Sequence, residues 1–433
     1  MKLLNETQRR QKIHNSGLLL INTLNFADAY NNINPSVVFY FSEYAKSFKT
    51  VKLKTIKRII FFTGFTLGSF ILECAGQAKP GKVTLIKDNN TIYETPAVYE
   101  LMNIAFALTD TSNYSGKLNI YYNVIDTSKS YYKEVINYFS AYRTHKLIKE
   151  LNQHLNKSMI RYLYNLQKGY NSKIVDNNIK RNIHFPFFQR LLYGFKSVNR
   201  NLIEDFAKAS NFQAFYETYK LFYLQGLEDA KNKLDISKIQ HWLKTEFSSQ
   251  YDKFNIVISP LMNATHFTKN FSYKGNKTSI MWVTNGLGYD TTKYSQKQIA
   301  GIYTGVVFTE IDHNYVNPVS DNYKKDITPI MGDNNRAKWI KADGDGKFYS
   351  TGYKIFNEYM THAVYLIYTN TIYSTGDQII IENSRIKLME QRRKYYRFGD
   401  FYRQLKTLYL SKKEGETITS LYPKILEWCK QQN

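Results

Sequence analysis

Two stretches of this sequence each hold a carboxylate and an imidazole at helical spacing: Glu310 with His313, and Glu358 with His362. Positions three or four apart on a helix share a face, so each pair projects into one space. Two such helices packed together bring four ionisable side chains into a single pocket. Buried groups of this kind need partners or water. They make either a buried ion pair or a metal-assisted hydrolytic centre. The hydrolytic template is H-E-x-x-H, in which two His at i and i+4 hold Zn²⁺ and the Glu between them polarises a water. Here the stretch reads Thr309-Glu310-Ile311-Asp312-His313, so the Glu and second His are present and a Thr stands at the first His. Threonine is a poor zinc ligand.

The elements that carry these residues are legible. The stretch 301–318, GIYTGVVFTEIDHNYVNP, places Ile302, Val306, Thr309 and His313 on one face, with Glu310 beside it. Ser295 with Gln298 three residues on is a capping box. The residue before a proline disfavours the α region, so the helix is expected to end at Asn317-Pro318. The stretch 353–368, YKIFNEYMTHAVYLIY, is a second apolar helix, with Ile355, Glu358, His362 and Tyr365 on one face. Between the two helices the polar segment 320–345 reads as a loop. Asp343-Gly344-Asp345-Gly346 within it fails as a calcium loop, because Lys354 stands where the closing Glu belongs, and it reads as a turn.

Upstream, 255–261 and 278–284 read as buried strands, the second closed by Asn285-Gly286. Residues 79–93 hold a short strand, and Thr95 with Pro96 starts a helix as N-cap and first helical residue. Helical patterns follow over 97–108, 128–142, 146–167, 201–224 and 236–247. His145 and His184 lie among them and read as structural or exposed. The expected fold is α+β and mostly helical: a helical subdomain over 79–253, then a zincin-like small sheet, two site helices and C-terminal helices over 254–433.

The formal charge is +23 and aromatic content is 16%, mostly Tyr. Basic residues are spread along the chain, which describes a solvated basic surface. The run Arg392-Arg393-Lys394-Tyr395-Tyr396-Arg397 has the form that grips phosphates and stacks bases, but a solvated helix face accounts for it equally, and no nucleic-acid partner is expected. Two cysteines, Cys74 and Cys429, exclude a disulfide framework and a cysteine-rich zinc site. No nucleophile elbow, phosphate loop or dinucleotide fingerprint is present.

Residues 52–58 are basic, 59–72 read IIFFTGFTLGSFIL without a charge, and small residues follow to Ala78. This is the layout of a secretory signal, too short for a comfortable membrane span. It places residues 1–50 as a doubtful N-terminal extension and 51–78 as a signal-like segment, with an exported, periplasmic or extracellular destination. Cys74 offers a lipid anchor, although Glu73 before it departs from a lipoprotein signal.

The order of strand, strand, E-x-x-H helix, loop and Asn357-Glu358 helix resembles the gluzincin metallopeptidases. The chain is more closely similar to a family of secreted bacterial proteins of unassigned function with a gluzincin-like core. The segments that carry the likeness include Val98-Tyr99-Glu100-Leu101, Tyr131 to Val135, Ile258-Ser259-Pro260-Leu261, the stretch 310–318 and the stretch 358–363. The resemblance implies a zinc site with His313 and Glu358 as ligands and Glu310 as general base. It also places residue 362 against the position of the first zinc His. His362 there could supply the ligand that Thr309 does not. The expected function is therefore that of an exported gluzincin-like homologue, catalytically impaired or inactive and acting by binding a peptide or protein. The alternative is an active zinc peptidase with His313, Glu358 and His362 as an altered ligand set.

Processing at the signal-like segment predicts an exported chain beginning at Cys74 or just after Ala78. N-terminal mass analysis checks this, and an intact Met1 on a cytoplasmic protein rules it out.

Overall fold

The computed structural model describes residues 84–433, apart from 111–123, 158, 183–195, 264–265, 274, 287–288 and 342–348. The signal-like segment, Cys74, His184 and the Asp343–Gly346 turn lie outside the described residues.

A five-stranded mixed sheet runs through the middle. Its strands are β1 (Thr84–Asp88), β2 (Thr91–Thr95), β5 (Lys253–Ser259), β6 (Phe267–Tyr273) and β7 (Asn276–Thr284), in the order β1-β2-β5-β7-β6. The three inner strands are parallel, and β1 and β6 close the two ends antiparallel. The inner strands read as continuous apolar runs because both faces are covered. Ile256 and Ile258 face one core and Val257 the other; Met281 and Val283 part from Ile280 and Trp282 in the same way.

One face carries the helical array: α1 (Ala97–Ala107), α2 (Ser130–Phe139), α3 (Lys146–Lys157), α4 (Met159–Tyr170), α5 (Arg200–Ala209), α6 (Phe212–Thr218) and the start of α7 (Lys220–Lys233). A small hairpin, β3 (Ser172–Val175) with β4 (Asn178–Arg181), is set among them. The other face carries α8 (Ile236–Phe247), α9 (Gln296–Asn322), α10 (Lys324–Met331), α11 (Arg336–Trp339), α12 (Gly352–Ile372), α13 (Thr375–Lys387), α14 (Phe398–Leu410) and α15 (Ile418–Gln431). Among the described residues no helix is long and apolar enough to cross a membrane.

The α+β, mostly helical class holds. Several local expectations do not. The sheet is not confined to residues after 254, because β1 and β2 form one end of it and β2 pairs with β5. Thr95 is no helix cap: its hydroxyl donates to the Ile258 carbonyl at 2.9 Å, inside the sheet. Pro318 does not end α9, which runs on to Asn322. A mid-helix proline forfeits one backbone hydrogen bond and costs about 3 kcal/mol. Burial of Val316, Val319 and Ser320 around it offsets that loss. The expected loop 320–345 is mostly helical, since α10 and α11 fall inside it. Strand β6, FTKNFSY, is an addition to the expected elements.

Two carboxylates sit between the helical array and the sheet. Glu100 on α1 is fully buried and accepts from the Tyr131 hydroxyl at 3.1 Å; that hydroxyl lies 2.5 Å from the hydroxyl of Tyr223. Glu94 on β2 accepts from Tyr170 at 2.9 Å and from Asn255 at 3.3 Å. Burial pushes both carboxyls up to about 7, against the pull of their hydrogen bonds from Ser259 and Tyr131 and from Tyr170 and Asn255.

An unfolded Glu titrates near 4.3, so between about pH 4.3 and about 7 the folded chain holds more protons than the unfolded one, and stability falls as pH rises through that window. Urea unfolding is expected to give a lower midpoint at about pH 7.5 than at about pH 5, with Glu100→Gln shrinking the difference. A difference unchanged in Glu100→Gln rules out Glu100 as its source.

Candidate functional site

Helix α9 begins with the expected capping box: Ser295 Oγ accepts from the Gln298 amide at 3.2 Å, and Gln298 Oε1 accepts from the Ser295 amide at 3.1 Å. Helix α12 is capped by Thr351, whose hydroxyl accepts from the Lys354 amide at 3.3 Å. The two helices pack closely because α9 presents glycines to α12 and α13. A Cβ at Gly301 would sit 2.2 Å from Ile381 Cδ1. One at Gly305 would sit 1.9 Å from Arg385 Nη2 and 2.6 Å from Tyr365 Cζ. The Tyr365 hydroxyl donates to the Gly301 carbonyl at 2.6 Å.

This contact brings the two carboxylate–imidazole pairs together. His313 Nε2 stands 3.3 Å from Glu358 Oε1, and His362 Nε2 stands 3.7 Å from Glu358 Oε2. The His313 side chain is 20% exposed and those of Glu358 and His362 are 9% and 7% exposed, so His313 is the most accessible member of the group. Glu310 is half-buried beside it. Burial pushes the Glu310 carboxyl up to about 7, with His313 and Arg393 pulling down and Glu358 pushing up. For His313, burial opposes the charged form, but Glu358, Glu310 and Asn317 outweigh it and raise the imidazole above its ordinary value. Burial acts against the Glu358 charge too. Arg393 and His313 outweigh it and hold the carboxyl well below the usual range.

Arg393 is the residue that sequence reasoning did not find. Its Nη2 donates to Glu358 Oε2 at 2.8 Å and to the Tyr349 hydroxyl at 3.1 Å, while its Nη1 contacts His362 Nε2. It comes from the basic run that resembled a nucleic-acid grip. There the chain leaves α13 through a π-helical turn, Leu388–Arg392, and Lys394 then takes a left-handed φ of 67°. π-turns are frequent at functional sites. The turn brings Arg393 against Glu358, buries Tyr395, and lays Arg397 over Trp339; Arg392 and Tyr396 stay exposed. The one available signal was Tyr interleaved with Arg, a pattern that suits burial against aromatic rings as well as stacking on bases.

His362 is held from its other side as well. Arg385 Nη1 lies 3.0 Å from His362 Nδ1. Burial, Arg385 and Arg393 together push this imidazole well below its ordinary value, so it is neutral. A neutral imidazole has one accepting nitrogen and one N–H. With a guanidinium at each nitrogen, one of the two contacts sets donor against donor.

The expected ligand set is thus brought together, but its donors are already engaged. Glu358 and His362 both contact the Arg393 guanidinium, His362 Nδ1 faces Arg385, and the Thr309 hydroxyl donates to the Gly305 carbonyl at 2.9 Å. Among the described residues no group of three or more His, Cys, Asp or Glu is arranged to hold a metal ion. Zn²⁺ could take all three donors only by displacing a cation of the chain itself, since Arg393 contacts both Glu358 and His362. His145 is half-buried, its Nε2 3.2 Å from Asp205 and its ring edge-on to Phe206.

Comparison with protein-family models, with curated proteins and with solved structures finds no match for this chain.

Removing one partner of a buried ion pair strands the other, at roughly 3–5 kcal/mol. Arg393→Ala is expected to lower unfolding free energy by about that amount, with a smaller loss for Arg393→Lys, as read by urea denaturation. A loss near zero in Arg393→Ala shows that Glu358 does not depend on it.

Proposed function

We propose that this chain is an exported gluzincin-like protein in which a guanidinium takes the place of the catalytic metal, and that it acts by binding a peptide or protein. The observation that carries this reading is the Arg393 guanidinium between Glu358 and His362. Thr309 supports it, since the first-ligand position of the template holds a hydroxyl that is spent on its own helix. A site of this kind keeps the polar cluster of the two helices but lacks the Lewis acid of the template.

A peptide ligand is favoured by the end strand of the sheet. Strand β6 is the last strand of the sheet among the described residues, and it runs beside α9, where Asn270 donates to Asn314 at 2.6 Å. An end strand can take up an extended peptide through main-chain hydrogen bonds, with alternate side chains giving selectivity.

A second reading is an active zinc peptidase using His313, Glu358 and His362, with Glu310 as base. It is favoured by the 3.3 Å and 3.7 Å separations that already place both imidazoles on the two oxygens of Glu358.

Zinc titration and metal analysis of the purified full chain separate the two. The first reading predicts no stoichiometric zinc in the parent and a gain of binding in the double variant Thr309→His with Arg393→Met. Stoichiometric zinc in the parent that is lost in His362→Ala overturns it in favour of the second. Zinc bound equally by the parent and by His362→Ala overturns both.

A further inference from the structure

Positive charge is densest in one part of the chain. Residues 143–200 hold twelve Lys or Arg and two acidic residues, so ten of the twenty-three net positive charges fall in this stretch. Its described part includes α3, α4, the β3–β4 hairpin and the first residue of α5, on the array side of the sheet. Hydrogen bonds between these elements gather three of the cations. Lys168, near the end of α4, donates through Nζ to the Val198 carbonyl, two residues before Arg200 opens α5. The Val198 amide donates to Asn165 Oδ1 at 2.9 Å, which fastens the same segment to α4 one turn earlier. Ser172 Oγ donates to the Lys168 carbonyl at 2.8 Å, and Arg181 stands opposite Ser172 in the hairpin. Residues directly opposite in an antiparallel pair share a face. Arg181 therefore rises on the face of the hairpin that meets α4.

These cations have no acidic partner and are open to water. Arg181 is exposed, and Lys168 and Arg200 are half-buried. Among the described residues no carboxylate lies within ion-pair distance of any of the three. Glu204 on α5 is taken by Lys208 and the Ile179 amide, and Glu150 acts on Lys168 through its field alone. Arg200 Nε is a buried atom with no hydrogen-bond partner among the described residues. An ammonium has three N–H groups, so the one bond to Val198 leaves Lys168 with two to give. The electrostatics agree with this placement. Burial, then Arg200 and Arg181, hold the Lys168 ammonium down to about 8, and after burial Arg181 works against the charge of Arg200. Crowding of like charges disfavours the charged forms, and an anion among them removes that penalty.

We infer that Lys168, Arg181 and Arg200 form a binding site for a phosphate group, on the opposite side of the sheet from the Glu358 cluster and independent of the reading given for it. One guanidinium fork is enough for a carboxylate. Three cations drawn from three elements suit a compact anion of higher charge. A phosphate group brings nearly two negative charges and three strong acceptor oxygens. The two arginines supply planar pairs of donors and the lysine a point charge.

The test uses the full chain at constant ionic strength. Inorganic phosphate and acetate are titrated by calorimetry. Sedimentation with phosphatidylcholine vesicles carrying phosphatidic acid is compared with sedimentation with phosphatidylcholine alone. The inference predicts that phosphate binds about tenfold tighter than acetate, and that Arg181→Gln weakens phosphate about tenfold, the loss expected for one charged hydrogen-bond partner. Lys180 is exposed and projects from the other face of the same strand. Lys180→Gln removes the same charge one residue away and is expected to change phosphate binding less than about threefold. Recruitment to the phosphatidic acid vesicles that is lost in Arg181→Gln identifies the phosphate as a lipid headgroup. Inorganic phosphate bound without such recruitment identifies a soluble ligand. Equal binding of phosphate and acetate overturns the inference, as does no binding of phosphate at millimolar concentration. Equal losses in Arg181→Gln and Lys180→Gln overturn it too, since a diffuse basic surface behaves that way. Should Arg181→Gln not fold, the comparison of phosphate with acetate on the parent chain decides by itself.

Discussion

A carboxylate cut off from bulk water requires a cation, and at Glu358 that cation is the guanidinium of Arg393. Much of the second half of the molecule is arranged to make this one contact. α9 supplies glycines so that α12 can come close, and α12 supplies Glu358. α13 ends in a π-turn, which rotates the chain so that Arg393 points inward. Lys394 then adopts a left-handed backbone conformation, costing roughly 1–2 kcal/mol for an ordinary residue. Tyr395 and Phe398 are buried immediately afterwards and Tyr359 packs on both, so local packing sustains that conformation. His313 and Tyr349 complete the surroundings, which explains why so polar a cluster sits in an otherwise apolar layer.

The sequence was most readable where the physics is local. The capping box of α9, the face that carries Thr309 and His313, and the second helix with Glu358 and His362 all follow from spacing, and all are present. Non-local physics was hidden. Arg393 lies far along the chain from Glu358, and nothing in the basic run separates a solvated arginine from one that turns inward. β6 was missed because FTKNFSY mixes polar and apolar residues, as an end strand does when only one of its edges is paired. Pro318 misled for a related reason: the local cost of a mid-helix proline is real, but burial on both sides of it carries the helix through. The zinc template was legible in its residue types, and its electrostatics were not.

The two halves of the fold are joined by a different class of contact. On the array side of the sheet, Glu94 and Glu100 sit among tyrosines, with Tyr170 and Asn255 on one and Tyr131 on the other. Here burial dominates and no arginine compensates, so these carboxyls keep their protons to near neutrality. On the opposite side Arg393 makes the reverse happen at Glu358. The same side-chain chemistry thus serves as a neutral hydrogen-bonded tie on one face and as an ionised anchor on the other, according to whether a guanidinium reaches it.

The placement of β2 bears on how such a chain assembles. Tyr93 lies opposite Ile256 in a parallel ladder, and everything from α1 to α8 intervenes between them. Closing so long a loop costs entropy that is recovered only when the ladder forms, and non-local pairing of this kind slows folding. During synthesis from the N-terminus, the β1–β2 hairpin leaves the ribosome long before β5 exists. Its inner edge is then a row of backbone donors and acceptors with no ladder to join, a template for mispairing with other chains. The helical array, made next and rich in local contacts, packs on one face of the sheet and so offers that hairpin a partner before β5 arrives. On that order of synthesis the array comes before the ladder that closes the sheet, and the edge of β2 stays open until β5 is made.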